Sequence, residues 1–335
     1  MVNIAIIGCG AIVMHRHAPE CKANENTNIA GFFDINLERA QSFADEYGGK
    51  AYATYEEVLE DESVDAVIIC VANKFHCEMT KKAFEHGKHV LCEKPMAFST
   101  DEAKEMIEAS EKSGKYLMMA HNQRLDNVSR KAKEILDGGK LGKVISFRGS
   151  FTTAGPDGWS ADPGKNTWFF DKAKAGHGAL GDLGVHIIDL VSFLLGEDFA
   201  RVGALSKTLV KRGSDGELIQ NDDTTICIFE TKSGRIGSIE AMWTNFGEGH
   251  DITVLNCENG VMIIDTFAAT VTLQMQDGSK EEISVDGSNT MVSYTFADCI
   301  LKGVKPTSDG YVGLKSLEII EKCMEAAREG KILEI

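Results

Sequence analysis

Apolar residues cluster into five short runs within the first 120 positions, at 3–8, 28–34, 66–71, 89–92 and 116–120. The segments between them, at 37–47, 55–59, 77–86 and 100–113, repeat their apolar positions with helical spacing. Ser99-Thr100-Asp101-Glu102 opens the last of these with an N-cap signature. Runs with no polar alternation fit strands buried on both faces. Strands alternating with helices over short loops predict a parallel sheet wound by right-handed crossovers.

After about residue 121 the period changes. A helix is expected over 128–136, stopped by Gly138-Gly139, then a strand over 144–151. An irregular, glycine-containing stretch fills 152–177, and a second helix covers 180–195. From 202 to 283 most segments alternate apolar and polar positions between turn signals, as at 224–230, 235–243, 251–256, 261–265 and 270–276. A last helix at 310–329 precedes a short strand. The expected architecture is a doubly wound parallel α/β domain over 1–120, followed by an α+β domain over 121–335 built on a mainly antiparallel sheet.

Composition narrows the function. The 335 residues carry 51 acidic and 35 basic side chains, a formal charge of −16. Nucleic acid and anionic membrane both require a basic surface, so neither is expected as a partner. No apolar run of about 18 residues is apparent, and the N-terminus lacks a signal-peptide pattern. Nine cysteines, none in C-x-x-C spacing, read as reduced core thiols of a cytoplasmic protein. No metal site is expected.

Gly8-Cys9-Gly10-Ala11-Ile12-Val13 follows the first strand and opens a helix. The first glycine suits a tight turn, the second a close approach of pyrophosphate, and the helix N-terminus faces the anion. Val13 stands where a third glycine would serve helix–strand packing. Asp34, 24 residues beyond Gly10, ends the second strand. A carboxylate there suits the two ribose hydroxyls of NAD and repels a 2′-phosphate. NAD is therefore favoured, although Arg39 on the next helix could serve NADP. His15 and His17, on the first helix, are expected on a solvated face or near the pyrophosphate.

Two further constellations carry chemistry. Glu93-Lys94-Pro95 closes the fourth apolar run, and ligands of doubly wound sheets bind beyond the carboxyl ends of the strands. Lys94 is thereby aimed at the nicotinamide end, where a partly enclosed lysine suits proton transfer. In Gly181-Asp182-Leu183-Gly184-Val185-His186-Ile187-Ile188-Asp189, the spacing sets Asp182, His186 and Asp189 on one helix face. His186 is a candidate proton acceptor, with Asp182 orienting it or stabilising its charged form.

Together with Asn73-Lys74-Phe75-His76, these motifs make the chain resemble the glucose–fructose oxidoreductase / inositol dehydrogenase / rhizopine catabolism (Gfo/Idh/MocA) family over essentially its whole length. The resemblance implies a Rossmann domain followed by a domain with a large open-faced sheet. It also implies hydride transfer between nicotinamide and a sugar or polyol hydroxyl. Lys94, Asp182 and His186 map onto the family's catalytic lysine and Asp-x-x-x-His pair. Asn73, His76 and Glu93 map onto the nicotinamide side, and Arg124 and Trp168 onto the substrate cleft. The family often shows a cis Lys–Pro bond at Lys94-Pro95.

There are departures. Val71-Ala72-Asn73 replaces Thr-Pro-Asn, His177 interrupts a glycine run, and Phe169 stands where arginine is common. Phe169 and the acidic composition favour a neutral sugar, glycoside or polyol as substrate. Family pairing of open sheet faces implies a homodimer or homotetramer. Two rivals remain: a redox-neutral enzyme cleaving glycosides through transient oxidation, and a non-catalytic regulator binding NAD and a sugar.

Overall fold

The computed structural model describes residues 1–285 and 290–335. Its first sheet is parallel, with strands β1 (Val2–Ile7), β2 (Thr27–Phe33), β3 (Lys50–Tyr52), β4 (Ala66–Ile69), β5 (His89–Cys92) and β6 (Leu117–Met119) in the order β3-β2-β1-β4-β5-β6. Alternate side chains enter two different cores. Ile4, Ile6, Phe32, Ile68, Leu91 and Met118 fill one face, while Ala5, Ile7, Val67, Ile69, Val90 and Met119 fill the other. This double burial is why the strands carry no polar alternation.

The connecting helices are α1 (Ala18–Ala23), α2 (Leu37–Tyr47), α3 (Tyr55–Glu60), α4 (His76–Glu85) and α5 (Thr100–Ser113). Asn36, Thr54 and Ser99 cap α2, α3 and α5 by accepting hydrogen bonds from Arg39, Glu57 and Glu102 backbone N–H groups. The strand order reverses between β1 and β4. That switch point opens a crevice at the carboxyl ends of the strands.

The second sheet has nine strands, ordered β14-β13-β12-β11-β7-β10-β9-β8-β15. They are β7 (Val144–Thr152), β8 (Phe199–Lys207), β9 (Thr224–Thr231), β10 (Ile236–Met242), β11 (His250–Cys257), β12 (Gly260–Asp265), β13 (Thr270–Met275), β14 (Lys280–Ser284) and β15 (Leu333–Glu334). Among the described residues of this sheet, only β7 and β10 pair in parallel. One face is covered by α6 (Asn127–Asp137) and, beyond the single turns α7 (Pro156–Trp159) and α8 (Lys172–Ala175), by α9 (Val185–Leu195). The opposite face leaves Ile145, Leu205, Ile226, Ile228 and Ile236 exposed.

Two late helices pack on the sheets, the second on both. α10 (Val292–Lys302), which the sequence pattern did not announce, buries Val292 and Phe296 against the parallel sheet. α11 (Gly310–Glu329) sends Leu317 into the core of the parallel sheet and Ile319, Ile320 and Cys323 into that of the large sheet. The segment Lys172–Leu195 is apolar and long enough to cross a bilayer, contrary to the expectation from run length, but 83% of its most apolar window is buried inside the protein. It is a core element by packing.

Close approach of α9 to the sheet depends on Gly149 in β7, where a Cβ would come within 2.1 Å of Ile187. Gly149→Val should therefore force α9 off the sheet, lowering stability by about 1–3 kcal/mol. Chemical denaturation would reveal this as a reduced unfolding midpoint, and an unchanged midpoint would contradict the packing argument.

Candidate active site

The dinucleotide motif forms a cradle at the end of β1. Gly8 has φ +87°, and a Cβ there would meet the Cys70 carbonyl oxygen at 2.6 Å. Only glycine lets the turn pass so close to the end of β4. A Cβ on Gly10 would meet nothing within 4 Å, so the space before the helix is open. The Cys9 N–H donates to Asp34 Oδ2 at 2.7 Å, and the Asn36 N–H donates to Asp34 Oδ1 at 2.8 Å. Both carboxylate oxygens keep lone pairs for further donors. A glycine-lined turn, a helix N-terminus at Ala11 and Ile12, and a fixed carboxylate at the end of β2 fit a dinucleotide.

Beyond β4 and β5 lies a cavity of about 460 Å³, lined by groups from both sheets. The Lys94 ammonium donates to the Asp182 backbone carbonyl at 2.8 Å and to Asp182 Oδ1 at 2.9 Å. The Trp243 indole N–H donates to the other oxygen, Asp182 Oδ2, at 3.1 Å. An ammonium has three donors, so Lys94 keeps one for a ligand. His186 lines the same cavity, and its Nδ1 is buried with no hydrogen-bond partner. Burial and the nearby positive charges of Lys94, Arg16 and His121 push its pKa well below the usual histidine range. These influences hold the ring in its neutral form, with both lone-pair and N–H roles open to a ligand.

The expected Asp182–His186 pairing does not form. Leu180–Gly184 is a π turn that precedes α9, and Asp182 within it faces Lys94 and Trp243. π turns recur where a side chain must be re-aimed at a functional site. Aromatic rings complete one wall. Trp168 stacks on Phe169 with centroids 3.9 Å apart, and Phe169 meets Trp159 and Trp243 edge-on.

Residues 2–121 match the model of an oxidoreductase family with an NAD-binding Rossmann fold, and residues 129–263 match the model of the same family's C-terminal domain. The chain belongs to the Gfo/Idh/MocA family. Among its relatives, a levoglucosan dehydrogenase from Pseudarthrobacter phenanthrenivorans is 31% identical over 239 residues, covering 66% of this chain and 60% of the relative. Here the match thus spans less than two thirds of the relative's length. A myo-inositol 2-dehydrogenase from Thermotoga maritima is 25% identical, with 100% of this chain and 99% of that protein covered. The solved structure of an aldose-aldose oxidoreductase from Caulobacter crescentus, complexed with glycerol, superposes with a TM-score of 0.88 at 25% identity, covering 100% and 99%.

Within this Gfo/Idh/MocA chain, several expected contacts move. Arg124 does not line the cavity. Its guanidinium is bound by Asp189, with Nε donating to Oδ2 at 2.8 Å, and lies over the Phe193 ring. Asp189 is buried, so it requires the counter-charge that Arg124 supplies. The neighbouring Gln123 reaches the cavity instead and donates to the Asp251 carboxyl.

His76 is also outside the cavity. Its ring nitrogens face the Val71 and Pro95 carbonyls, both at 3.0 Å. It braces the two strand-end turns against each other. Asn73 lines the cavity while donating to the Ala175 carbonyl at 2.8 Å. The Lys94–Pro95 bond is cis. His177 lines the cavity, tucked against Gly181, and its Nε2 has no partner.

His17 corrects the expectation of a solvated or phosphate-facing ring. It is fully buried at the end of a π turn, Val13–His17, and its Nε2 lies 2.8 Å from Glu93 Oε1. Glu93 uses its other oxygen to accept the Lys94 N–H at 3.1 Å. Burial alone would raise the Glu93 carboxyl, but the His17 hydrogen bond and surrounding positive charges hold it at about 2. A signal of this pair in the chain was the position of Glu93 directly after an apolar run, where a buried carboxylate needs a partner. Trp243 was also missed, because an aromatic residue at a strand end reads as core.

The depressed Glu93 pKa has a definite sign. Its contribution to stability is full above the ordinary value of 4.5 and is lost as pH falls toward about 2. Urea unfolding across that range should show a steeper loss for the wild type than for Glu93→Gln. Identical slopes would remove the pair from the account.

Proposed function

We propose that the chain is an NAD-dependent dehydrogenase acting on a carbinol carbon of a neutral sugar, glycoside or inositol-like polyol. The reading rests on one observation: Lys94 from the end of β5 and His186 from α9 line one cavity, next to the dinucleotide cradle. The levoglucosan and myo-inositol dehydrogenases among its relatives support that substrate class. In this reading residues 1–120 form the cofactor domain and residues 121–335 the substrate domain.

NAD bound in the cradle supplies the two-electron acceptor for the substrate carbon. Gly8, Cys9, Gly10, Ala11 and Ile12 would hold its pyrophosphate, and Asp34 would accept hydrogen bonds from a ribose diol. Asn73 and Glu93 border the nicotinamide end. Lys94 donates its remaining hydrogen bond to the reacting hydroxyl oxygen and stabilises negative charge as the proton leaves. The neutral His186 ring receives that proton in oxidation and returns it in reduction. Asp182 acts through Lys94, fixing the ammonium by two contacts. Trp168 and Phe169 offer ring faces to the apolar C–H surface of a sugar.

Lys94→Ala and His186→Ala should each lower kcat by about a hundred- to ten-thousandfold, while NADH affinity stays unchanged. A panel of sugars, polyols and glycosides with NAD would identify the substrate for this test. Near-normal turnover in both variants would sink the assignment. Product formation without net NADH would favour the transient-oxidation rival.

The exposed isoleucines of the large sheet support a homo-oligomer. Ile226 and Ile228 in β9 and Ile236 in β10 are 44%, 53% and 64% exposed, on strands whose other side chains fill the core. Such a contiguous apolar face favours association. All nine cysteines are free thiols, which suits a reducing cytoplasmic setting. Sedimentation equilibrium should give a dimer or tetramer for the wild type and a smaller species for Ile228→Glu. A monomeric wild type would contradict this assembly.

A further inference from the structure

We propose that Asp162, on the loop between β7 and α9, sets the preference for NAD over NADP by holding Arg39 in an ion pair; this rests on the cofactor reading above. Arg39 is the third residue of α2, five positions after Asp34, and its backbone N–H is capped by Asn36. It therefore stands beside the carboxylate assigned to the ribose. An arginine at this place is the group suited to a 2′-phosphate, because its planar fork matches phosphate oxygens in two parallel hydrogen bonds.

In this protein that fork is occupied. Nη2 donates to Asp162 Oδ1 at 2.6 Å, and Nη1 donates to Asp162 Oδ2 at 3.3 Å. The contact joins residues 123 positions apart and crosses from the large-sheet half of the molecule to the parallel sheet. Asp162 is not on a free arm. The base of its loop is tied down by the buried Lys211 ammonium, which donates to Asp157 Oδ1 at 2.6 Å and to the Ala154 carbonyl. The Gly164 N–H returns to the Asp157 carbonyl at 2.8 Å, and the Ser160 hydroxyl donates to the Asp162 carbonyl at 2.9 Å.

Two consequences follow for a 2′-phosphate. It would meet two carboxylates, Asp34 and Asp162, around one guanidinium, and it would have to displace Asp162 to gain its hydrogen bonds. NAD, with a hydroxyl at that carbon, meets neither obstacle and keeps its bond to Asp34. Discrimination is thus shared between Asp34, which repels the phosphate, and Asp162, which occupies its natural partner. A loop that merely latched the two halves would affect both dinucleotides alike.

The test is fluorescence titration of the full chain with NADH and NADPH at one fixed ionic strength, for wild type, Asp162→Ala, Asp162→Asn and Asp162→Ala/Arg39→Ala. Asp162 is largely exposed, so its variants should fold, which circular dichroism checks. Asp162→Ala should shift the NADPH-to-NADH affinity ratio at least tenfold toward NADPH, with Asp162→Asn shifting it in the same direction. Removing Arg39 in the same background should abolish the gain. A ratio unchanged within twofold, equal weakening of both dinucleotides, or a gain that survives loss of Arg39 overturns the proposal while leaving the cofactor reading intact. A wild type that binds neither dinucleotide overturns both.

Discussion

The Asp182 carboxylate lies almost out of reach of water, and its two oxygens are held by Lys94 from the end of a parallel strand and by Trp243 from the end of β10. Leaving a buried carboxylate without its partner costs roughly 3–5 kcal/mol. The contact therefore fixes how the two sheets approach and where the cavity between them lies. It also points the Lys94 ammonium. With two donors committed to Asp182, the third is confined to the cavity side, where a substrate oxygen would meet it.

A second buried pair supports the first from behind. His17 reaches Glu93 from the helix of the dinucleotide cradle, and Glu93 in turn accepts the Lys94 backbone N–H. Cradle, Lys94 and site helix are thus linked through consecutive polar contacts. His186 differs in having no such support: its ring is buried, neutral and without a partner at Nδ1. An unpaired buried nitrogen is costly in a core position.

Periodicity made the parallel sheet legible because β1, β4 and β5 are apolar on both faces and alternate with helical segments over short loops. The large sheet was legible through alternation, although the open face is less polar than alternation implies, since Ile226 and Ile228 point outward. Spacing alone misjudged the site helix. A regular helix aligns Asp182, His186 and Asp189, but the π turn at Leu180–Gly184 re-aims Asp182, and Asp189 is consumed by Arg124. Partners far apart in the chain, such as His17 with Glu93 or Arg39 with Asp162, leave no local pattern. They arise from burial and loop placement, which three-dimensional packing decides.

The central claim is that one substrate hydroxyl is shared by Lys94 and His186 inside the cavity. The most direct measurement is a crystal structure of the protein with NADH and the polyol or sugar identified by screening. The account predicts the reacting hydroxyl oxygen within about 2.6–3.2 Å of both Lys94 Nζ and His186 Nε2, with Asp182 still bound to Lys94. A substrate bound in a productive pose whose reacting hydroxyl touches neither group would contradict it.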